Sequence, residues 1–356
     1  SLEGGRFDVD SYAPQGIPAF SAAARNGVGG IAAFALPRPD SPDIKLRVQA
    51  GELLLNKVTA RDVDVDLQSG SNGLYLRALR IGAVGGARVD GTGLILDAGK
   101  GADGSIGLNV QADDPSELIR LFGLAGDQGL PPWARGLGPT AIRTELAVKP
   151  AEQGSDVALS TRGKAGPLAI DFTGTADPLG ALTGKLEIKA ESSARILTLL
   201  GVSALEEDRE PGALSLEAAG TMAEGFAATA TLQAHGARLD YRGGFRPLAE
   251  GFGLAGDLSL RAADAARLIA ASGLPVNAPG GLVAANARLG WSEGKWTLSD
   301  VSGQIGAAAF SGNASLTPER VADVRLETGP LRLADVLAAT FLDWSGPGLG
   351  LESGFA

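Results

Sequence analysis

Ile44-Lys45-Leu46-Arg47-Val48-Gln49 and Asp62-Val63-Asp64-Val65-Asp66-Leu67 alternate apolar and polar residues without a break. A period of two sends successive side chains to opposite faces of an extended chain, so each run predicts a strand with one wet and one apolar face. Working outward, the same pattern returns. Leu74 and Leu76 flank Tyr75, and Ile142, Leu146 and Val148 stand opposite Arg143, Glu145 and Lys149. Leu186 and Ile188 stand opposite Lys185, Glu187 and Lys189, while Leu214 with Leu216, Leu258 with Leu260, and Val324 with Leu326 carry it toward the C-terminus. Gly-, Asn- and Pro-rich clusters between the runs, such as Ser69 to Gly73 and Gly99 to Gly104, predict antiparallel hairpins. The expected fold is mostly β: an elongated, curled antiparallel sheet forming a repeating groove, with short interspersed helices.

Helical periodicity interrupts the strands at intervals. Asp114 to Leu124 and Ser192 to Val202 end on an apolar pair, a glycine (Gly123, Gly201) and a further apolar residue. Asp264 to Leu274 ends likewise with Ala271-Ser272 before Gly273, and Leu333 to Leu342 is a looser copy. Each is expected to start on a capping side chain, Asp114 with Pro115 and Glu117 behind it being the best formed. About four strands and then one helix make a unit. The expected division is an N-terminal segment 1–40 leading into the groove, then units 41–125, 126–202, 203–274 and a truncated 275–356.

Composition narrows the function. Hydrophobic residues reach 44% while aromatics are only 5%, and there are 52 glycines, so thin strands of Leu, Val and Ala must supply the apolar surface. The net charge of −10, with Lys and Arg dispersed among Asp and Glu, disfavours a nucleic-acid partner and an anionic lipid surface alike. The absence of Cys removes disulfides, thiol nucleophiles and Cys-ligated metals. Gly27 to Pro37, the longest nearly uncharged apolar stretch, falls short of the ~20 residues of a membrane helix. With no leader visible and Ser1 first, the chain is expected to be a piece whose anchor or export signal lies elsewhere.

Reactive centres are poorly supported. His235, the sole histidine, lies in Gln233-Ala-His-Gly without a nucleophile elbow and reads as a turn residue. Asp62, Asp64 and Asp66 resemble a cation motif, but an evenly spaced row on one strand face lacks the turn a calcium loop needs. Gly27-Val-Gly-Gly and Gly82 to Gly93 lack the strand-to-long-helix context of a dinucleotide loop. No pair among the many acids is singled out for glycoside hydrolysis. No catalytic residue, metal or cofactor is expected. The helices, with stripes such as Leu118, Ile119, Leu121 and Phe122, or Ile196, Leu197, Leu199 and Leu200, are expected to pack over a sheet edge or to gate the groove. Trp133, Trp291, Trp296 and Trp344 are expected to anchor loops and the rim.

An apolar face this long must close on itself, meet a partner or hold lipid. The residues expected to line it are Ile44, Leu46, Val48, Val63, Val65, Leu67, Leu74, Leu76, Leu146, Val148, Leu186, Ile188, Leu214, Leu216, Leu258, Leu260, Val324 and Leu326.

Residues 40–125 resemble the AsmA family of bacterial envelope proteins, which includes TamB-like members, and the later repeats do so more loosely. The resemblance rests on Phe7-Asp-Val-Asp-Ser-Tyr12, on Ile44 to Val58 followed directly by Thr59 to Leu67, and on Leu74 to Ile81 leading into Gly85-Gly-Ala-Arg-Val-Asp-Gly-Thr-Gly93. It implies a periplasmic β-groove, tethered to the inner membrane by an anchor outside this chain. It also implies a part in moving phospholipid between inner and outer membranes, with an outer-membrane partner protein possible. The alternative expectation is a scaffold or chaperone that assists outer-membrane protein assembly.

Overall fold

The computed structural model describes residues 2–8 and 43–329, apart from 56–57, 98–100, 122–129, 131–133, 135–136, 201–209, 249–250, 265–280, 293 and 319–320. Strands β1 (Leu2–Asp8), β2 (Ile44–Leu55), β3 (Val58–Gly70), β4 (Gly73–Val84), β5 (Ala87–Asp97) and β6 (Ala102–Ala112) precede helix α1 (Ser116–Leu121). Then β7 (Thr140–Ala151), β8 (Gly154–Ala165), β9 (Leu168–Ala176) and β10 (Ala181–Ala190) lead to α2 (Ser193–Leu199). Four more strands follow: β11 (Gly212–Thr221), β12 (Gly225–Ala234), β13 (Ala237–Leu248) and β14 (Gly251–Ala262). The last four are β15 (Val283–Ser292), β16 (Lys295–Ile305), β17 (Ala308–Leu316) and β18 (Ala322–Thr328). All belong to one curled sheet that does not close.

From β2 to β18 each strand pairs antiparallel with the next in chain order, whereas β1 pairs parallel with β2, Leu2 opposite Val48. At ~4.8 Å per strand the sheet runs roughly 80 Å across its strands. Its two long edges differ. One edge, the hairpin edge, carries only short connections such as 151–154 and 176–181. The other carries the long connections 113–139, 191–211 and 263–282, and we call it the helix edge.

Local chemistry explains the turns. In the β9–β10 connection, Asp177 Oδ1 accepts the N–H groups of Leu179 (2.9 Å) and Ala181 (2.8 Å), and Gly180 takes φ +86°. The β4–β5 turn uses Gly85 and Gly86 at φ +55° and +76°, the positive pair that a tight hairpin matched to strand twist requires. Gly82 to Gly93 is therefore a hairpin and not a nucleotide loop. Gly27-Val-Gly-Gly and the helical segments after Asp264 and Leu333 lie outside the described residues.

The helices confirm one cap and correct another. Asp114 Oδ1 accepts the Ser116 N–H at 2.9 Å, and the Ile119 N–H donates to Pro115 O at 3.0 Å, as the capping sequence predicts. At α2, Ser192 has an extended backbone but makes no side-chain cap bond. The next residue is the one held: the Ser193 N–H donates to Glu210 O at 2.7 Å, and its hydroxyl accepts the His235 N–H at 3.2 Å. Tertiary contact replaces the local cap because Ser193 is fully buried against the sheet.

The sheet curls toward its apolar side. The Ala102 N–H, at the start of β6, donates to Ser155 Oγ of β8 at 2.6 Å, reaching past β7. Ala102 packs in one cluster with Val148 and Val157, so the strands converge on the apolar side. Gly101 permits this approach, since a Cβ there would overlap the Gly154 carbonyl oxygen.

Candidate functional site

Pairing register decides which side chains share a face, because directly opposed residues in an antiparallel ladder point the same way. Leu46 opposes Leu67, Leu67 opposes Leu76, and Leu74 opposes Ile95. Ile106 opposes Leu146, Leu146 opposes Leu159, and Phe172 opposes Leu186. Leu186 opposes Leu216, and Leu239 opposes both Leu232 and Leu260. Leu298 opposes Ala314, which opposes Val324. Followed through every pairing, all eighteen residues expected to line the groove fall on one face. From β2 to β18, among the described residues, that face carries a single charged side chain, Asp97 at the last position of β5.

Keeping the face in phase requires a shared correction near the helix edge. Val63 and Ala60 belong to the same buried cluster although they are three residues apart, as do Ile81 and Val84. The offset falls at Gly51, Asp62 and Gly82, which lie side by side. Asp62 adopts φ +52°, and a Cβ on Gly82 would sit 2.9 Å from the Asp62 Cβ. The expectation that Asp62, Asp64 and Asp66 form an even row is therefore corrected. Asp62 occupies the kink, whereas Asp64, which accepts from Gln49 Nε2 at 3.4 Å, and Asp66 lie on the wet face. Among the described residues no acidic or histidine cluster forms a metal site.

The face divides into three lanes. Along the helix edge runs a row of small, mostly buried residues, including Ala87, Ala112, Ala165, Ala190, Ala234 and Ala262. Helix α2 lies over part of it, with Ile196 at 0% exposure packed on Leu168, Ala190, Ile188 and Leu214. The middle lane alternates large residues with small ones. Tyr241 lies over Gly243 and Gly256, its hydroxyl donating to Gly244 O (3.1 Å) and Ala255 O (3.0 Å), and burial pushes its phenol pKa up. Thr144 and Thr161 bond to each other at 3.1 Å, so these polar atoms are also satisfied within the sheet.

The hairpin-edge lane changes along the sheet. Between β4 and β9 it is aliphatic and closed: Leu74, Ile95, Val148 and Val157 are buried in one cluster. From β12 to β16 it becomes aromatic and open. Phe226 stacks on Phe245 (centroids 4.6 Å), while Phe252 meets Trp291 (4.3 Å) and Trp291 meets Trp296 (5.7 Å) with the rings tilted by 46° and 40°. Of the expected lining residues, Val48, Val63, Leu74, Leu146 and Val148 are buried. Val65, Leu67, Leu76, Leu186, Ile188, Leu214, Leu258 and Leu260 are half-buried, and Ile44, Leu46, Leu216, Val324 and Leu326 are exposed. Among the described residues no second sheet covers this face, and no helix is long and apolar enough to cross a membrane.

The opposite face is a ladder of charge. Lys185 lies 3.2 Å from both Glu187 and Glu217, whose hydrogen bonds, Glu187 first, raise its pKa. Twist makes this face concave in places too. A cavity of about 610 Å³ opens among Thr231, Arg238, Asp240, Arg242, Asp257 and Arg288, and another of about 640 Å³ among Thr173, Thr183, Lys185 and Glu217.

In the first cavity, Asp240 accepts from Arg238 Nε and Thr231 Oγ1, each at 2.8 Å. The guanidinium, then the hydroxyl, hold its carboxyl below the ordinary value of 3.8. A folded value below the unfolded one makes the contribution present above the unfolded value and lost as pH falls through the folded value. The group is exposed, so screening keeps the effect small. Asp240→Asn is expected to flatten slightly the acid limb of a melting-temperature profile, and superimposable limbs would show that the pair contributes nothing.

His235 sits in the β12–β13 turn at φ +51°, next to Gly236 at +68°. No protein-family model, curated protein or solved structure matches this chain. The chemistry of the site must therefore be read from the residues themselves. What they offer is an apolar strip with one charged side chain, covered in part by α2 at the helix edge and open at the hairpin edge from β12 to β16.

Proposed function

We propose that the chain shields acyl lipid along this strip and moves phospholipid between membranes without catalysing a reaction. One observation carries the reading: among the described residues, a single charged side chain on an apolar face seventeen strands long, with no second sheet over it and only α2 covering part of one edge. Apolar area left in water costs about 25 cal/mol per Å², and soluble proteins rarely expose a continuous patch of more than a few hundred Å². The resemblance of residues 40–125 to the AsmA family supports the same reading and adds a periplasmic location beside an inner-membrane anchor. Mass spectrometry of lipid extracted from gently purified protein tests it. Phospholipid in the extract is the expected result, and protein that is lipid-free yet soluble and folded would overturn the reading.

A second reading has its own observation. Among the described residues β18 is paired on one side only, and every residue in it is exposed, so its outer edge offers backbone donors and acceptors to an incoming strand. A scaffold for outer-membrane protein assembly would capture unfolded β-strand peptides when stripped of lipid, and peptide capture without lipid binding would favour it.

A further inference from the structure

The five aromatic residues of the hairpin-edge lane are unusual for this chain, which holds only eleven Phe, four Trp and three Tyr. Phe226, Phe245, Phe252, Trp291 and Trp296 gather on one face of five adjacent strands, within reach of the same edge. Phe252 is 48% exposed and Trp296 42%, and the neighbouring turns present Met222 at 64% and Leu248 at 42%. In the closed half of the same edge, the corresponding positions are buried aliphatics. Indoles and phenyl rings with one dry and one wet side suit the boundary between acyl chains and headgroups.

Charge specifies the occupant. At the same edge Arg246 and Lys295 are exposed; each adjoins a ring in its strand (Phe245, Trp296) and so leaves the sheet on the wet face. Neither is in an ion pair among the described residues, and Glu224 is exposed in the β11–β12 turn. The whole chain is at −10. Cations and an acid together match a headgroup that bears a phosphate and an amine, while the net negative sign disfavours an anionic headgroup.

Resting on the lipid reading, we infer that the aromatic edge of β12–β16 is the mouth of the groove. Zwitterionic phospholipid enters there, its glycerol and headgroup at the rings and its tails running inward over the middle lane.

The test uses the full chain carrying Trp133→Phe and Trp344→Phe, which leaves Trp291 and Trp296 as the only indoles. It is loaded with phosphatidylethanolamine brominated either near the glycerol end or near the methyl end of the acyl chain. Stronger quenching by the glycerol-end bromines is expected. Stronger quenching by the methyl-end bromines overturns the mouth while leaving lipid binding standing, and no quenching by either overturns both. In unmodified protein, native mass spectrometry after incubation with equimolar phosphatidylethanolamine and phosphatidylglycerol vesicles is expected to show the zwitterionic lipid bound preferentially. Arg246→Gln with Lys295→Gln is expected to weaken that binding about five-fold per lost charge. Equal uptake of the two lipids, or a double variant that binds as the parent does, would overturn the headgroup assignment.

Discussion

Ile188→Asp is expected to yield a folded β protein that carries no phospholipid. Ile188 opposes Ile170 and Leu214 on the apolar face and packs against the cluster of Leu168, Ala190 and Ile196. A carboxylate there has no partner and costs about 2 kcal/mol or more, which exceeds the roughly 1.4 kcal/mol that separates tenfold occupancies. The neighbouring position supplies the control. Lys189 lies on the wet face, exposed, with its Nζ 3.8 Å from Glu187 Oε2. Lys189→Asp changes the net charge by more than Ile188→Asp does, yet is expected to keep its lipid. Val65→Asp, in the first unit, should behave like Ile188→Asp because both residues lie on the same face. The measurement is lipid per protein in the extract, with a circular-dichroism spectrum to confirm the sheet. Lipid retained in both Asp variants would refute the groove, and lipid lost equally in Lys189→Asp would show that charge alone, and not the face, governs uptake.

How far that face could be read in advance depended on side-chain contrast. Where Lys, Arg, Asp or Glu alternate with Leu, Ile or Val, as in β2, β3 and β10, the face of every residue was legible from a period of two. β5 and β8 give no period-two signal because Gly91, Gly93, Thr161 and Gly163 occupy apolar-face positions and dilute the pattern, so β5 is legible only as a thin, Gly-rich strand, although Ile95 and Val157 are among the most buried residues. At Gly93 glycine is needed, because a Cβ there would overlap the backbone of Ser105 and Ile106.

The alanine lane had a local signal, a small residue just before or after each tight turn at the helix edge, as in Ala234-His-Gly-Ala237. The aromatic ladder had none within any one strand. Phe226, Phe245 and Trp291 meet only through pairing partners far apart in the chain, and Trp291 and Trp296 anchor a strand-end lane and not a loop. The parallel pairing of β1 is equally non-local, and β1 itself was read only as a lead-in segment. Asp62 shows the limit of periodicity, since one residue in a left-handed conformation shifts the phase of everything beyond it.

Ile95→Ala is expected to destabilise the first half of the sheet by about 3 kcal/mol, whereas Leu326→Ala should cost less than about 0.5 kcal/mol. Both remove a large aliphatic side chain from the same face, so the contrast isolates the cover over each. Ile95 is 0% exposed, held by Leu74, Val148 and Val157 where the sheet curls, and truncation leaves a cavity that rigid neighbours cannot fill. Leu326 is 58% exposed on the terminal strand β18, where truncation leaves no cavity. Since each strand touches little beyond its neighbours, the damage should stay near its source. Hydrogen exchange should therefore accelerate in β4–β8 of Ile95→Ala while β14–β17 keep the protection of the parent, a more direct readout than one melting temperature for a chain that need not unfold in a single step. Equal costs at the two positions would mean that the apolar face is covered to the same degree along its whole length. A groove closed at one end and open at the other would then be wrong, because the gradient from buried aliphatic to exposed aromatic is what separates a conduit with a mouth from an ordinary core.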